Sequence, residues 1–252
     1  MDLQGKVALI TGASRGLGLE IAKAYAKRGA RLMITARTSA DLERAAAEIR
    51  TSSRGDGAAR EPLIEALAGD VADSSHARRL IDTTVRAFGR LDILINNASE
   101  LGPSPMPSLE QLPIDDYHRI LDVNAVAPLQ LTQFALPHLK AAGEAFVINV
   151  SSDAGVQAYP GWGGYGSSKA ALEHWSRILA AELDGSGVRI LVVDPGDMNT
   201  EMHRQAEPGV DLAHLPGPER VARAFVRFVE DVREPFARLE AQKPLFAAVG
   251  AS

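Results

Sequence analysis

The sequence predicts an α/β fold: a Rossmann-type doubly wound parallel sheet of about seven strands with helices on both faces. Three observations carry this. Short apolar runs rich in β-branched residues alternate with longer amphipathic stretches, the pattern of β-α units. A glycine turn, Gly12-Ala13-Ser14-Arg15-Gly16-Leu17-Gly18, joins the first apolar run to the first helical stretch, as in folds that seat a diphosphate on a helix N-terminus. Polar or glycine positions then recur where successive strands end, at Gly12, Arg37, Asp70 and Asn96. Ligands of open α/β sheets bind at those carboxyl ends.

Composition narrows the function classes. The chain has 252 residues, 46% hydrophobic and 23% charged, which suits a protein with a sizeable core. A net charge of -5 offers no basic footprint for nucleic acid. Absence of cysteine excludes disulfides and thiolate metal sites, and no metal site is expected. No stretch of about 18 apolar residues is present. The N-terminal residues run directly into an apolar strand without a signal-peptide pattern, so a cytoplasmic location is the expectation. Neither an internal repeat nor a linker breaks the chain, and residues 1–252 read as one domain that both binds a dinucleotide and carries the catalytic residues.

Taken in order, residues 6–11 form a buried strand, and the glycine turn leads into a helix over 17–27. The second strand, 31–35, ends in Ala36-Arg37-Thr38. An acid at this junction would hold a ribose 2′-hydroxyl, whereas an arginine accommodates a 2′-phosphate. A helix over 40–50 is followed by a polar loop over 51–61, then a third strand over 63–68 that delivers Asp70 and Val71. Residues 73–88 fit a helix with Asp73 as its N-cap. The fourth strand, 91–95, ends in Asn96-Asn97-Ala98-Ser99. A proline-rich loop over 100–113 leads to one long helix over 114–140. Asn124 in its interior competes for backbone hydrogen bonds, and Pro128 four residues on fits a disturbed helix. The fifth strand, 145–150, delivers Ser151 and Ser152 to the same edge. Residues 153–164 are glycine-rich and hold Tyr159 and Trp162 as a pocket wall, and a helix follows over 165–183. The sixth strand, 188–193, leads into Asp194-Pro195-Gly196-Asp197-Met198-Asn199-Thr200. A polar, interrupted stretch over about 197–218 suits a flap over a site. A helix over 219–232 and a short strand over 236–240 complete the reading.

Tyr165 and Lys169 stand four apart on a helix and so share one face. A cation beside a phenol favours the phenolate, so the Tyr165 pKa is expected to fall from its ordinary value near ~10. Such a tyrosine can exchange a proton near neutral pH.

Thr11-Gly12-x-x-x-Gly16-x-Gly18, Asn96-Asn97-Ala98, Asn124, Ser152, Tyr165-x-x-x-Lys169 and Pro195-Gly196 occur in the order and spacing of the short-chain dehydrogenase/reductase family. Over about residues 3–200 the chain resembles its short, single-domain branch. The resemblance implies a nicotinamide cofactor and assigns roles. Tyr165 would be the general acid/base, and Ser152 would hydrogen-bond the substrate oxygen. Lys169 would lower the tyrosine pKa and hold the nicotinamide ribose, and Asn124 would anchor a relay water. Gly12, Ser14, Arg15, Gly16, Leu17 and Gly18 would approach the diphosphate. Asp70 and Val71 would contact adenine, with Asn97 and Ala98 beside the adenosine ribose. Pro195, Gly196, Met198 and Thr200 would meet the carboxamide and phosphates. Two departures stand out: Ser99 occupies the usual glycine after Asn-Asn-Ala, and the C-terminus lacks the family's usual Asp-Gly-Gly close.

The resulting expectation is an NADP(H)-preferring oxidoreductase, with NAD(H) as the lesser cofactor, that interconverts a carbonyl and a secondary alcohol as a ketone or aldehyde reductase. Its partner is a small-molecule substrate. A homodimer or homotetramer is expected, pairing through the helices over 114–140 and 164–183, with Ala170, Ala171, Ala180 and Ala181 permitting close approach. The rival reading is a non-catalytic NAD(P)-binding regulator on the same fold. Its expected mark is loss of the tyrosine or the lysine, and both are present.

Overall fold

A computed structural model describes residues 1–53 and 62–244 of the chain. Its seven-stranded sheet has the order β3-β2-β1-β4-β5-β6-β7. The strands are β1 (Val7–Thr11), β2 (Arg31–Thr35), β3 (Ile64–Ala66), β4 (Ile93–Asn96), β5 (Ala145–Val150), β6 (Val188–Asp194) and β7 (Phe236–Glu240). Every neighbouring pair is parallel. The expected doubly wound parallel sheet is therefore present, and its strand order reverses direction between β1 and β4, where the chain leaves a crevice at the strand ends.

Helices cover both faces because the central strands are apolar on both sides. On one face, α1 (Gly16–Lys27), α2 (Ser39–Ser52) and α8 (Pro218–Asp231) pack Ile21, Tyr25, Leu42, Ile49 and Phe225 against Ile10, Ile34 and Ile148. On the other, α3 (Ser74–Phe88), α5 (Ala127–Ala141) and α6 (Gly163–Glu182) pack Leu80, Leu131, Leu139 and Ala180 against Leu9, Leu94 and Val147. Asp73 caps α3 as expected, accepting from Ser75 N at 2.8 Å.

Several local expectations need correction. The helix over 114–140 is not uniform. It comprises α4 (Ile114–Leu121), a π-helical turn (Asp122–Val126) and α5, with Asn124 inside the wide turn and Pro128 just after it. Pro128 lacks an N–H and cannot continue the regular helical bonding, and the π turn stands just before it. The third strand is shorter than 63–68, and Thr51 and Ser52 end α2 instead of opening a loop. The rest of that loop, 54–61, lies outside the described residues, as does the tail from 245. The stretch over 197–218 contains α7 (Glu201–Ala206), capped by Thr200 through His203 N at 3.3 Å. Among the described residues no helix is long and apolar enough to cross a membrane.

Candidate active site

The site assembles from the carboxyl ends of β1, β4, β5 and β6. Thr11 closes β1 and ties it to β4: its hydroxyl donates to Ile95 O at 3.3 Å and accepts from the backbone N–H groups of Asn97 and Ala98, each at 3.0 Å. The glycine turn then needs small residues for distinct reasons. Gly12 has φ +65 and lies so close to Ala98 that a Cβ would approach its Cα to 2.9 Å. A Cβ on Gly18 would lie 2.5 Å from both Asn97 Nδ2 and Gly12 O, so this glycine seats α1 against the strand ends. Gly16 has φ +56 and open space in front of it. The N-cap position of α1, Arg15, provides no side-chain cap, leaving first-turn N–H groups facing that space. An uncapped helix start behind an open glycine turn fits a diphosphate.

Asn97 is tied to the glycine turn by its side chain. Its side-chain amide donates to Thr11 O at 2.9 Å and Gly12 O at 3.2 Å, so it fastens the glycine turn and its Nδ2 is not presented to a ribose. Asp70 accepts from Ala72 N at 2.9 Å and from Arg119 Nη2 at 2.7 Å. Burial pushes its carboxyl up, but the Ala72 N–H and the Arg119 guanidinium outweigh that and hold it below the usual carboxylate range. Val71 and Ala98 line one small recess with Thr11, Asn96 and Val123. Arg37 stays exposed at the end of β2, its guanidinium 4.0 Å from Glu100 Oε2. Of the residues after β6, Gly196 turns with φ +69 and donates to Asp194 Oδ1 at 2.9 Å. The side chains of Met198 and, from α1, Leu17 pack into the apolar core.

Tyr165, Lys169, Ser152 and Asn124 converge. The Tyr165 phenol lies within hydrogen-bonding reach of both Ser99 and Ser152. Lys169 Nζ sits 5.3 Å from the Tyr165 ring centre and donates to Val150 O at 2.9 Å. The expected fall in the tyrosine pKa is reversed. Burial pushes the Tyr165 phenol up; the Ser99 and Ser152 hydrogen bonds oppose it, while Asp194 and Asp153 add to it. Lys169 is as deeply buried as its neighbour, and burial lowers it to about 7 against the opposing charge of Glu173. Burial thus disfavours the charged form of both groups, so the lysine offers less positive charge to a phenolate than an exposed one would.

The Asn124 side chain is held by four hydrogen bonds. Its Oδ1 accepts from Glu100 N at 2.8 Å and Ser99 Oγ at 3.1 Å, and its Nδ2 donates to Glu100 O at 2.8 Å and Ser168 Oγ at 2.9 Å. Two donors and two acceptors exhaust an amide, so the side chain has no capacity left for a relay water. It pins the segment after β4 to α6. Ser152 Oγ accepts from Ala154 N at 3.2 Å and donates to Asp153 Oδ1 at 3.0 Å, and Asp153 in turn accepts from Tyr159 OH at 2.6 Å.

An apolar cluster surrounds the phenol. Leu101, Ala154 and Tyr165 are its buried members, and Met106, Trp162, Met202 and Ala206 pack against them. Trp162 meets Tyr165 edge to face, ring centres 5.9 Å apart, and Tyr159 lies 6.2 Å from Trp162. Met202 and Ala206 come from α7, so the 197–218 stretch packs onto this cluster.

A model of the short chain dehydrogenases matches residues 6–211. This chain belongs to that family. It is 37% identical over 213 residues, 81% of this chain and 77% of its relative, to the rhamnolipids biosynthesis 3-oxoacyl-[acyl-carrier-protein] reductase of Pseudomonas aeruginosa. Among solved structures it is similar to a protein from Pseudomonas syringae taken to be a short chain dehydrogenase (TM-score 0.86, 36% identity, 96% of each chain). A metagenomic short-chain oxidoreductase in complex with NADP gives a TM-score of 0.77 at 27% identity, covering 95% of this chain and 99% of the other. The chain is thus an NAD(P)-dependent dehydrogenase/reductase built on a Rossmann-like sheet.

Some residues of this site were not singled out from the sequence. Ser99 was noted only as a departure, yet its hydroxyl lies between Tyr165 and Asn124. Asn149, buried inside an apolar strand, accepts from Asn96 Nδ2 at 2.8 Å and donates to Ser176 Oγ at 2.8 Å. A lone amide in an otherwise apolar run was the available signal.

Proposed function

We propose that this dehydrogenase is an NADP(H)-preferring reductase of ketones or aldehydes, with Tyr165 as its general acid/base, acting on carbonyl compounds that carry an apolar or aromatic substituent. The observation that carries this is the buried Tyr165 phenol, flanked by Ser152 and Ser99, within an apolar cluster that includes Leu101, Met106, Trp162 and Met202.

A bound nicotinamide supplies the hydride. The Gly12–Gly18 turn and the uncapped start of α1 would hold its diphosphate, and Asp70 and Val71 would flank its adenine. In reduction, Ser152 Oγ turns its proton from Asp153 to the substrate oxygen, and Tyr165 transfers its proton to the same oxygen. Lys169 stabilises the negative charge that grows on the phenol and holds the nicotinamide ribose. Asn124 acts through position, keeping Ser99 and Ser168 against the pair. Burial raises the phenol pKa and so keeps the proton on Tyr165 at neutral pH, the state that reduction requires.

The NADP preference is supported by Arg37, free of an acidic neighbour on its own strand end, and by the neighbour solved with NADP. Glu100 near Arg37 is the opposing charge. A homodimer through α5 and α6 is supported by exposed Val126 and Ile178 and by exposed Ala170, Ala171 and Ala181. Ala180 is excluded from that set because it packs against this chain's own sheet. A monomer in light scattering at micromolar concentration would remove the dimer.

The test is a panel of aliphatic and aromatic ketones and aldehydes followed by NADPH oxidation, with wild type and Tyr165→Phe compared. The variant should lose at least about 100-fold in kcat while its NADPH affinity stays within a few-fold. Turnover retained by the variant would refute the role of Tyr165. A wild type that uses NADH at least as well as NADPH would refute the cofactor preference.

A further inference from the structure

Glu173 stands one helical turn beyond Lys169, so Tyr165, Lys169 and Glu173 occupy one face of α6. The proposed chemistry uses only the first two. Glu173 is nevertheless 4% exposed, and a buried carboxylate is costly unless paired. It is paired from two directions. Its Oε1 accepts from Ser151 Oγ at 2.7 Å, and its two oxygens accept from Arg238 Nε on β7 at 3.0 and 3.2 Å. Arg177, on its own helix, comes within 3.8 Å. Arg238 also lies 3.9 Å from Asp194, the residue that holds the Gly196 turn.

The opposite side of this cluster is Lys169, 2% exposed, whose amine donates to Val150 O. The charged or titratable groups acting on the Tyr165–Lys169 pair are Glu173 from α6, Asp194 from the end of β6 and Asp153 from the turn after β5. Those acting on Glu173 are Arg177 from α6 and Arg238 from β7. The last strand therefore reaches the catalytic helix through a buried ion pair.

We propose that Glu173 and Arg238 are positioning residues for the Tyr165–Lys169 pair: the carboxylate keeps the proton on Lys169, and the guanidinium sets how much of that negative charge Lys169 feels. Ser151 fixes the carboxylate's orientation. The proposal rests on the catalytic reading of Tyr165 and Lys169. It is in keeping with a lysine that burial has brought to about 7, where one neighbouring charge decides its state.

The sign follows from charge alone. Glu173→Gln removes a negative charge, so the pair loses its first proton at lower pH, whichever group gives it up. Arg238→Gln removes a positive charge and moves the same loss to higher pH. Each shift should be about 1 pH unit for one neighbouring charge removed, and Glu173→Asp should stay near wild type. Two readouts apply to the full-length protein. One is the 13Cε NMR titration of Lys169, assigned by its loss in Lys169→Met. The other is the alkaline limb of kcat for a ketone that wild type reduces, at saturating NADPH. Opposite shifts in the two variants by NMR support the inference. Shifts that are absent, or of the same sign in both variants, overturn it, even where activity or melting temperature falls, because a purely structural ion pair predicts such losses without opposite titrations. Opposite NMR shifts with an unmoved rate profile uphold the charge coupling and overturn the catalytic part assigned to Lys169. Should Glu173→Gln not fold, Arg238→Gln must still shift upward, and a flat titration in it overturns the proposal.

Discussion

Replacing Asn124 by alanine should destabilise the protein strongly, for a reason that can be worked group by group. The side chain is 1% exposed and makes four hydrogen bonds, to Glu100 N, Glu100 O, Ser99 Oγ and Ser168 Oγ. The two serine hydroxyls can turn to other partners; Ser168 already donates to Tyr165 O at 2.6 Å. The Glu100 N–H and C=O have no such freedom. Leaving each without its partner costs about 1–3 kcal/mol, so the total is about 2–6 kcal/mol. Alanine is the better helix former, but that gain is only about 0.7 kcal/mol and cannot offset the loss. In a chain of this size the result is a fall of roughly 10 °C in Tm. Differential scanning calorimetry of cofactor-free protein reads it directly. A variant melting within about 2 °C of wild type would show that Asn124 does not hold the 99–100 segment to α6, and a relay role for its side chain would reopen.

Other consequences are equally direct. Gly18→Ala places a methyl 2.5 Å from Asn97 Nδ2 and Gly12 O, one of them backbone, so the glycine turn must open; NADPH affinity by calorimetric titration should fall at least about 10-fold, which corresponds to 1.4 kcal/mol, and unchanged affinity would mean the turn does not seat the diphosphate. Arg37→Ala should weaken kcat/KM for NADPH roughly 10- to 100-fold, with NADH much less affected; equal losses for both cofactors would remove the 2′-phosphate contact. His76, 1% exposed and 3.0 Å from Thr35 Oγ1, has its pKa lowered by burial from 6.5, so the unfolded chain takes up a proton that the folded chain refuses. Stability from this residue is therefore full above the unfolded value and lost as pH falls below it, and urea midpoints between pH 7 and 5 should decline less steeply in His76→Leu; identical slopes would refute the assignment.

Sheet and helices were legible because their signals are local and repeated: apolar runs of strand length, helical periodicity, and a glycine turn between the first two elements. The positions of Gly12, Gly18, Asp70, Ser152, Tyr165 and Lys169 at one edge follow from that alternation. What the sequence hides is how saturable groups are spent. Asn124 and Asn97 stand at sites where an amide is useful, but only the fold shows that backbone partners already occupy both. The π turn around Asn124 is invisible for a related reason, since one extra residue in a helix leaves the apolar period nearly unchanged. Glu173 lay on the same helical face as the catalytic pair, yet its partner Arg238 is 65 residues away and arrives only through the pairing of β7 with β6.

The reversed tyrosine pKa is the most instructive of these differences. Spacing alone places a cation beside a phenol and predicts an easy phenolate. Burial acts on both groups at once, raising Tyr165 and lowering Lys169, so each disfavours the charged form that the other would stabilise. The phenol therefore holds its proton at neutral pH. That is the resting state a reductase needs, because the proton must be on Tyr165 before the substrate oxygen receives it. In the reverse direction the same site must first lose that proton, so alcohol oxidation should demand a distinctly more alkaline pH than carbonyl reduction. The separation of the two pH optima measures how far burial, and not the Lys169 charge, governs the pair. Coincident optima near neutrality would mean that Lys169 stays charged during turnover and that the burial-driven shifts vanish once the cleft is filled.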